Sequence, residues 1–322
     1  MTDAIDQRLP PGLPARPGTV VTVGTFDGVH RGHWEVLARL RARADEAGLP
    51  AVLATFHPHP LRVVRPAHAP QLLTTPLEKK EILAESGLDY VVFIPFTDVL
   101  RGYPPERFVE EILIGRLRMR HLVIGYDHGF GRGRSGDVDT LRGIGGRRGF
   151  TVEVVEALQT EGEAISSSRI RAALQQGRVT DAARALGRPY SLRGPVVRGD
   201  GRGHALGFPT ANIQVPNADK LLPREGVYAV TGTLRSGTHR GVLHLGPRPT
   251  FRGSPPSVEL HLFEFDRDVY GEEVRVDFCA WLRDIHRFAT VDALTEAIRD
   301  DCDQAVQLFR EGSTACRQPP ER

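Results

Sequence analysis

Gly24-Thr25-Phe26-Asp27-Gly28-Val29-His30-Arg31-Gly32-His33 joins two apolar runs of different period, and its reading decides the fold. Before it, Val20 to Thr25 is short and β-branched. After it, Val36, Leu37, Leu40 and Ala44 recur at helical spacing until Gly48 and Pro50 stop the run. The order is therefore strand, glycine-bearing loop, helix. Unpaired N–H groups and the positive dipole end at such a helix start favour an anion, so a triphosphate suits the position. His30 and His33, spaced H-x-G-H, can add donors to phosphate oxygens where charge develops in a transfer at phosphorus. Gly24, Gly28 and Gly32 permit close backbone approach. A pair of loop histidines on its own is commonly structural; the glycine pattern and the strand-to-helix context turn the reading toward phosphate.

Outward from this stretch the alternation continues. Ala51 to Phe56 reads as a strand, and Thr75-Pro76-Leu77-Glu78 is a capping box opening a helix that ends near Gly87. Tyr90 to Phe96, His121 to Gly125 and Phe150 to Ala157 read as strands, and Pro105 to Leu117 as a helix. Ile165-Ser166-Ser167-Ser168 precedes a further helix from about Arg169 to Gln176. Val- and Ile-rich strands alternating with helices imply a parallel sheet covered on both faces, which gathers ligands at the carboxyl ends of its strands. The serines can simply cap their helix, or can bring hydroxyls and an arginine to the phosphates held by His30 and His33.

Two competing motifs fall short. Gly131-Arg132-Gly133-Arg134-Ser135-Gly136 satisfies G-x-G-x-x-G, but Tyr126 to Phe130 separate it from its strand and arginines fill the crowded positions, so a flexible active-site loop is the better reading. His57 and His59 alternate as metal ligands do, without an evident third ligand nearby.

After Gly187 the texture changes. Glycine, proline and arginine dominate from Arg188 to Gly207, and four alternating strands follow at Gly226 to Leu234, Gly241 to Leu245, Ser257 to Phe265 and Glu273 to Trp281. These suggest a small barrel, with a helix at about Val291 to Arg310 to close one end. The boundary falls near 187 to 190, giving domains 1–187 and 188–322. Within the second, Gly199-Asp200-Gly201-Arg202-Gly203 precedes Pro209-Thr210-Ala211-Asn212. Thr210 and Asn212 offer neutral oxygens two residues apart, a set that suits magnesium beside ATP; without context the four residues are merely a turn. Glu259 points away from Val258, Leu260 and Leu262, and is either a solvated strand residue or a base for a hydroxyl proton.

Composition narrows the function classes. The 322 residues carry a formal net charge of +2 with 40% apolar and 25% charged residues, an ordinary globular balance. That charge, with no basic run interleaved with aromatics, argues against nucleic-acid binding. No run of about 18 apolar residues argues for a membrane span or export, and the cytoplasm is expected. Cys279, Cys302 and Cys316 support neither a disulfide framework nor a structural zinc site. Lysine occurs only at 79, 80 and 220; taking these three from 42 basic residues leaves 39 arginines.

Five segments now carry a resemblance. GTFDGVHRGH, TFHPHP (Thr55 to Pro60), LLTTPLEKKEIL (Leu72 to Leu83), GYDHGFG (Gly125 to Gly131) and ISSSRIR resemble, in order, the motifs of the bacterial bifunctional riboflavin kinase and FAD synthetase family. Matching segments run from Val20 to about Ala305. The resemblance implies an α/β Rossmann-like nucleotidyltransferase domain followed by a small antiparallel β-barrel with a C-terminal helix. It implies phosphorylation of riboflavin to FMN by ATP, then adenylylation of FMN to FAD, with Mg²⁺ assisting both. It places His30, His33 and Arg171 in adenylyl transfer. Gly24, Thr25, Phe26, Asp27, Gly28, Ser167 and Ser168 lie at its ATP, with Phe56 and Asp127 near the flavin. In the barrel it places Gly201 and Gly203 over a second ATP, Thr210 and Asn212 on Mg-ATP, and Glu259 as the kinase base.

Departures from the family pattern are specific. His244 stands where the family usually has asparagine, and Ile285 where it usually has glutamate; Ser168 replaces a threonine and keeps the hydroxyl. His128 and Gly129 replace an aromatic and an arginine. His244 and Ile285 leave open a FAD synthetase with an impaired kinase. The arginine-rich barrel leaves open a nucleic-acid-binding module beside an adenylyltransferase, whose signature is steeply salt-dependent RNA binding.

Overall fold

The computed structural model describes residues 17–126, 129, 136–160, 163–199, 203, 206–246 and 257–311. By contacts the chain separates into two compact units, Met1–Ser167 and Ser168–Arg322.

In the first unit the order is β1 (Thr19–Gly24), α1 (Arg31–Ala47), β2 (Ala51–His57), α2 (Pro60–Val64), α3 (Pro76–Ala84), β3 (Tyr90–Pro95), α4 (Asp98–Arg101) and α5 (Pro105–Phe108). A π-helical turn, Val109–Ile114, continues α5. Then come β4 (Met119–Gly125), α6 (Val138–Arg148), β5 (Thr151–Val155) and a short hairpin of β6 (Gln159–Thr160) and β7 (Glu163–Ala164). The five main strands are all parallel, in the order β3-β2-β1-β4-β5. Successive residues serve opposite faces: Val20, Ala51, Leu53 and Val123 meet Val36, Leu37, Leu40 and Ala44 of α1. Val21, Val52, Leu122 and Ile124 meet Ile112, Leu113, Leu141 and Ile144 on the other side. This double burial is why the strands read as unbroken apolar runs rather than alternating ones. Leu37 and Leu40, 1% and 0% exposed, each contribute roughly 2 kcal/mol through burial. Helix α1 stops at Gly48, whose φ of +63° is the left-handed conformation that glycine adopts without strain.

The strand order carries functional information. Chain direction reverses its progress across the sheet between β1 and β4, so the loops leaving these two neighbours diverge and open a crevice. The Gly24–His33 stretch is the loop after β1.

The second unit takes α7 (Ser167–Gln175) from Ser168 onward, then α8 (Val179–Leu186), β8 (Tyr190–Val197), β9 (Ala211–Ile213), β10 (Gly226–Leu234), β11 (Gly237–Gly246), β12 (Ser257–Leu262), β13 (Glu273–Arg283) and α9 (Val291–Arg310). The six strands close an antiparallel barrel in the order β10-β11-β12-β9-β8-β13. Ala305 and Phe309 of α9 pack on Ala229, Val242 and Cys279. Arg283 donates to both oxygens of the buried Asp301 at 2.7 and 2.7 Å, tying α9 to β13. Cys279 is disulfide-bonded, a bond the cysteine count did not suggest, and Cys302 is a free thiol.

The barrel has two strands beyond the four expected. In β8 Tyr190, Leu192, Gly194 and Val196 are buried in strict alternation, but Gly194 and Pro195 disguise the pattern. Gly194 is required there because a Cβ would collide with the Gln214 carbonyl. Strand β9 is too short to show a period. Helices α6 and α8 were likewise not expected; α6 carries Gly143, Gly145 and Gly146, and Gly145 is where the Phe150 carbonyl comes within 2.7 Å of a Cβ position.

Candidate functional site

The loop after β1 is tied down from several sides. Thr25 offers its carbonyl to Thr55 Oγ1 at 3.0 Å and to the Lys79 ammonium at 2.7 Å. The Asp27 carboxylate, 1% exposed, accepts from the Leu73 and Thr74 N–H groups at 3.1 and 3.1 Å and from Thr74 Oγ1 at 3.3 Å. Gly28 N–H donates to Thr74 Oγ1 at 3.1 Å, and Ser167 Oγ donates to the Asp27 carbonyl at 2.8 Å. Phe26 and Val29 are held at φ of +45° and +40°, conformations that persist in L residues only where the surroundings impose them. The loop is therefore preorganised.

At its end His30 caps α1. The Nδ1 atoms of His30 and His33 each accept the other's backbone N–H at 3.3 Å, and the two rings stack 3.7 Å apart. With both Nδ1 atoms acting as acceptors, the ring proton of each histidine resides on Nε2. Gly32 sits under the pair, its Cβ position 3.3 Å from His30 Nδ1. Two imidazole donors, fixed in tautomer by the helix cap they build, thus stand at the positive end of α1.

The other predicted residues of this half are placed as follows. Gly24 ends β1 and has the Phe26 ring 3.0 Å from its Cβ position. Phe56, the second-to-last residue of β2, is half-buried and meets the rings of Phe96 and Phe108 at 5.5 and 6.1 Å. Its neighbour His57 has its pKa lowered by burial and by the charges of Lys79 and Lys80. Ser168 is exposed and Arg171 half-buried, both in the first turns of α7. Asp127, Gly201 and the Gly131–Ser135 stretch lie outside the described residues. Of the loop's anchors, Lys79, Thr55 and Thr74 were not singled out from sequence. All three fall within the quoted TFHPHP and LLTTPLEKKEIL segments, and Lys79 is in addition one of only three lysines beside 39 arginines.

In the barrel, strand register assembles the second group. Glu259 on β12 lies opposite Asn212 on β9 and opposite His244 on β11. Glu259 and Asn212 are half-buried, and among the described residues none donates a hydrogen bond to the Glu259 carboxylate. The Pro209 carbonyl meets His261 Nδ1 at 2.8 Å, docking the loop that carries Thr210 onto β12. Glycine lines the opposite side: a Cβ on Gly203 would stand 2.8 Å from Thr210 Oγ1, and one on Gly199 would collide with the Asn212 amide. Thr210 and Asn212 are uncharged oxygen donors facing a cradle that only glycine leaves open, which fits a magnesium ion shared with phosphates. Among the described residues no group of three or more His, Cys, Asp or Glu is gathered that could hold a metal ion by itself.

A parallel sheet with a helix start suited to an anion at its switch point defines a nucleotidyltransferase-type domain, here followed by a closed barrel carrying a carboxylate beside a Thr/Asn pair. Residues 13–169 match the family model described as FAD synthetase, and residues 186–309 the one described as riboflavin kinase. The chain belongs to the bifunctional riboflavin kinase and FAD synthetase family. It is 37% identical to the bifunctional riboflavin kinase/FMN adenylyltransferase of Bacillus subtilis, over 90% of this chain and 92% of that one. The protein so described from Pseudomonas fluorescens is 38% identical over 92% and 94% of the two chains. A solved structure described as a macrolide-efflux protein from Streptococcus pneumoniae superposes with a TM-score of 0.83, at 29% identity, over 92% of this chain and 95% of that one. No helix among the described residues is long and apolar enough to cross a membrane.

Proposed function

We propose that this chain makes FAD from riboflavin in two ATP-dependent steps in the cytoplasm, with the kinase work in residues 188–322 and the adenylyl transfer in residues 1–187. In the first step Glu259 takes the proton of the riboflavin 5′-hydroxyl as its oxygen attacks the γ-phosphorus of ATP, and ADP leaves. Thr210 and Asn212 would hold Mg²⁺, which when bound neutralises charge on the ATP phosphates. Gly201 and Gly203 allow the loop to lie close over the nucleotide.

In the second step a phosphate oxygen of FMN attacks the α-phosphorus of ATP and pyrophosphate leaves. The nucleophile is already anionic, so alignment and charge stabilisation suffice and no base is needed. The Nε2–H groups of His30 and His33 and the Arg171 guanidinium donate to the phosphate oxygens as charge builds. Gly24, Thr25, Phe26, Asp27 and Gly28 shape the loop under the phosphates, Ser167 and Ser168 line the α7 start, and Phe56 and Asp127 flank the flavin.

The observation that carries the reading is the match of both halves of a single chain, residues 13–169 and 186–309, to a FAD synthetase and a riboflavin kinase. The test is incubation of the purified protein with riboflavin, ATP and Mg²⁺, with the flavins separated chromatographically. FMN and FAD should both form. Absence of both overturns the reading, and FMN formed from riboflavin excludes an impaired kinase.

A further inference from the structure

Lysine has almost vanished from this chain, with arginine at 39 of its 42 basic positions. Yet two of the three lysines are buried, Lys79 at 8% and Lys220 at 3% exposure. Burying an ammonium is costly, and lysine differs from arginine in being a compact point charge rather than a broad planar fork. Lysine in a buried position of so arginine-rich a chain marks a place where the fork does not serve.

Lys79 lies on α3, and its ammonium reaches the Thr25 carbonyl at 2.7 Å, in the loop that ends at His30 and His33. Besides burial, the charge that acts on it is that of Asp27. The Asp27 carboxylate is fixed by Leu73 and Thr74, beneath a loop whose N–H groups and helix start are suited to an anion. A carboxylate in that position opposes phosphate binding at low dielectric unless a cation offsets it.

We propose that Lys79 is a positioning residue for adenylyl transfer: its ammonium holds the Thr25 carbonyl and offsets the Asp27 carboxylate, keeping the Gly24–His33 loop in the shape that receives the ATP phosphates. This rests on the reading of that loop as the ATP site. Burial lowers the Lys79 pKa, and the Asp27 charge offsets part of that lowering. The strained φ values of Phe26 and Val29 are the features such an anchor would maintain.

The test compares Lys79→Met, Lys79→Arg, Asp27→Asn and the double variant Asp27→Asn/Lys79→Met in the full chain. FMN-to-FAD conversion is measured as kcat and as KM for ATP, and riboflavin phosphorylation by the same preparations reports an intact second domain. Lys79→Met should lose at least ~10-fold in kcat/KM for ATP with kinase activity unchanged. Lys79→Arg should not restore it, and the double variant should recover part of the loss because the charge to be offset is gone. Lys79→Met within about twofold of wild type overturns the proposal. So does a double variant whose loss equals the product of the two single losses, since a merely structural anchor gives no charge rescue. Should Lys79→Met fail to fold, Lys79→Arg decides: adenylyl transfer equal to wild type would sink the idea. A wild-type chain that forms no FAD from FMN would instead remove the ATP-site reading beneath it.

Discussion

Glu259 and His244 stand directly opposite one another on neighbouring antiparallel strands, and Asn212 stands opposite Glu259 on its other side. Register alone therefore lines up a carboxylate, an amide and an imidazole. His244 is also one of the two barrel residues that depart from the family pattern in kind, and the second adjoins it: a Cβ on Gly246 would collide with Ile285 and come 2.8 Å from His244 Cε1. The two unusual residues share one corner of the barrel, where an imidazole and an isoleucine pack in place of an amide and a carboxylate.

That corner should give the barrel a pH dependence. Burial lowers the His244 pKa most strongly; Glu259, Asp301 and Glu225 pull it up, and Arg283 pulls it down. A histidine with a lower pKa in the folded state binds its proton more readily in the unfolded chain. Stability is then full above the unfolded value of 6.5 and falls as pH drops below it. The melting temperature of the wild type should fall more between about pH 7.5 and about pH 5.5 than that of His244→Asn. His57 and His121 are also lowered but belong to the first unit and are common to both proteins. Parallel pH curves for the two would contradict the assignment.

Glu259→Gln keeps the side-chain volume and removes the basic oxygen. Riboflavin phosphorylation should fall by about 10²- to 10⁴-fold, the range for loss of a positioned base, while conversion of supplied FMN to FAD is unchanged. Chromatographic assay of each step in the same preparation separates the outcomes. Equal loss of both activities would mean the sites are not independent.

The parts of this molecule legible in sequence are those where local chemistry and tertiary demand agree. The Gly24–His33 stretch shows its loop and its histidines together because both serve one helix start, while the cap that His30 and His33 build for each other is seen only in the structure. The Thr75–Glu78 capping box reads as a helix opening for the same reason, and is one: Thr75 Oγ1 accepts the Glu78 N–H while Glu78 accepts the Thr75 N–H. Strand β8 does not read as a strand, because Gly194 answers to the distant Gln214 carbonyl rather than to its own neighbours. The strand order that brings β1 beside β4, and the register that sets Glu259 against Asn212 and His244, are long-range pairings with no local mark. Lys79 lay between these extremes: its rarity was visible, and its burial against Thr25 was not.

His33→Ala should produce the opposite defect to Glu259→Gln. The substitution removes an Nε2–H donor from the phosphate site and also the Nδ1 that accepts the His30 N–H. Adenylyl transfer should fall by about 10²- to 10³-fold, as for loss of one preorganised donor. Loss of the reciprocal cap should cost about 1 kcal/mol of stability, read as a lower denaturation midpoint of the first unit. Kinase activity should persist. Unimpaired FAD formation from FMN would remove His33 from the reaction.

Gly199→Ala tests the cradle around the Thr/Asn pair without touching a polar group. Any Cβ there collides with the Asn212 amide, so Asn212 must rotate away or β9 must shift from β12, and either change separates Asn212 from Glu259. The barrel itself has little reason to unfold, because Gly199 lies beyond the end of β8 and its φ is not in the left-handed region. Kinase activity should therefore fall by at least ~10-fold, chiefly through a higher KM for Mg-ATP, while the melting temperature and adenylyl transfer stay close to wild type. Because Asn212 is an uncharged donor, raising the Mg²⁺ concentration should recover part of the loss. If the variant phosphorylates riboflavin with an unchanged KM for ATP, Asn212 is not part of the nucleotide site, and Glu259 must act with partners other than those its register supplies.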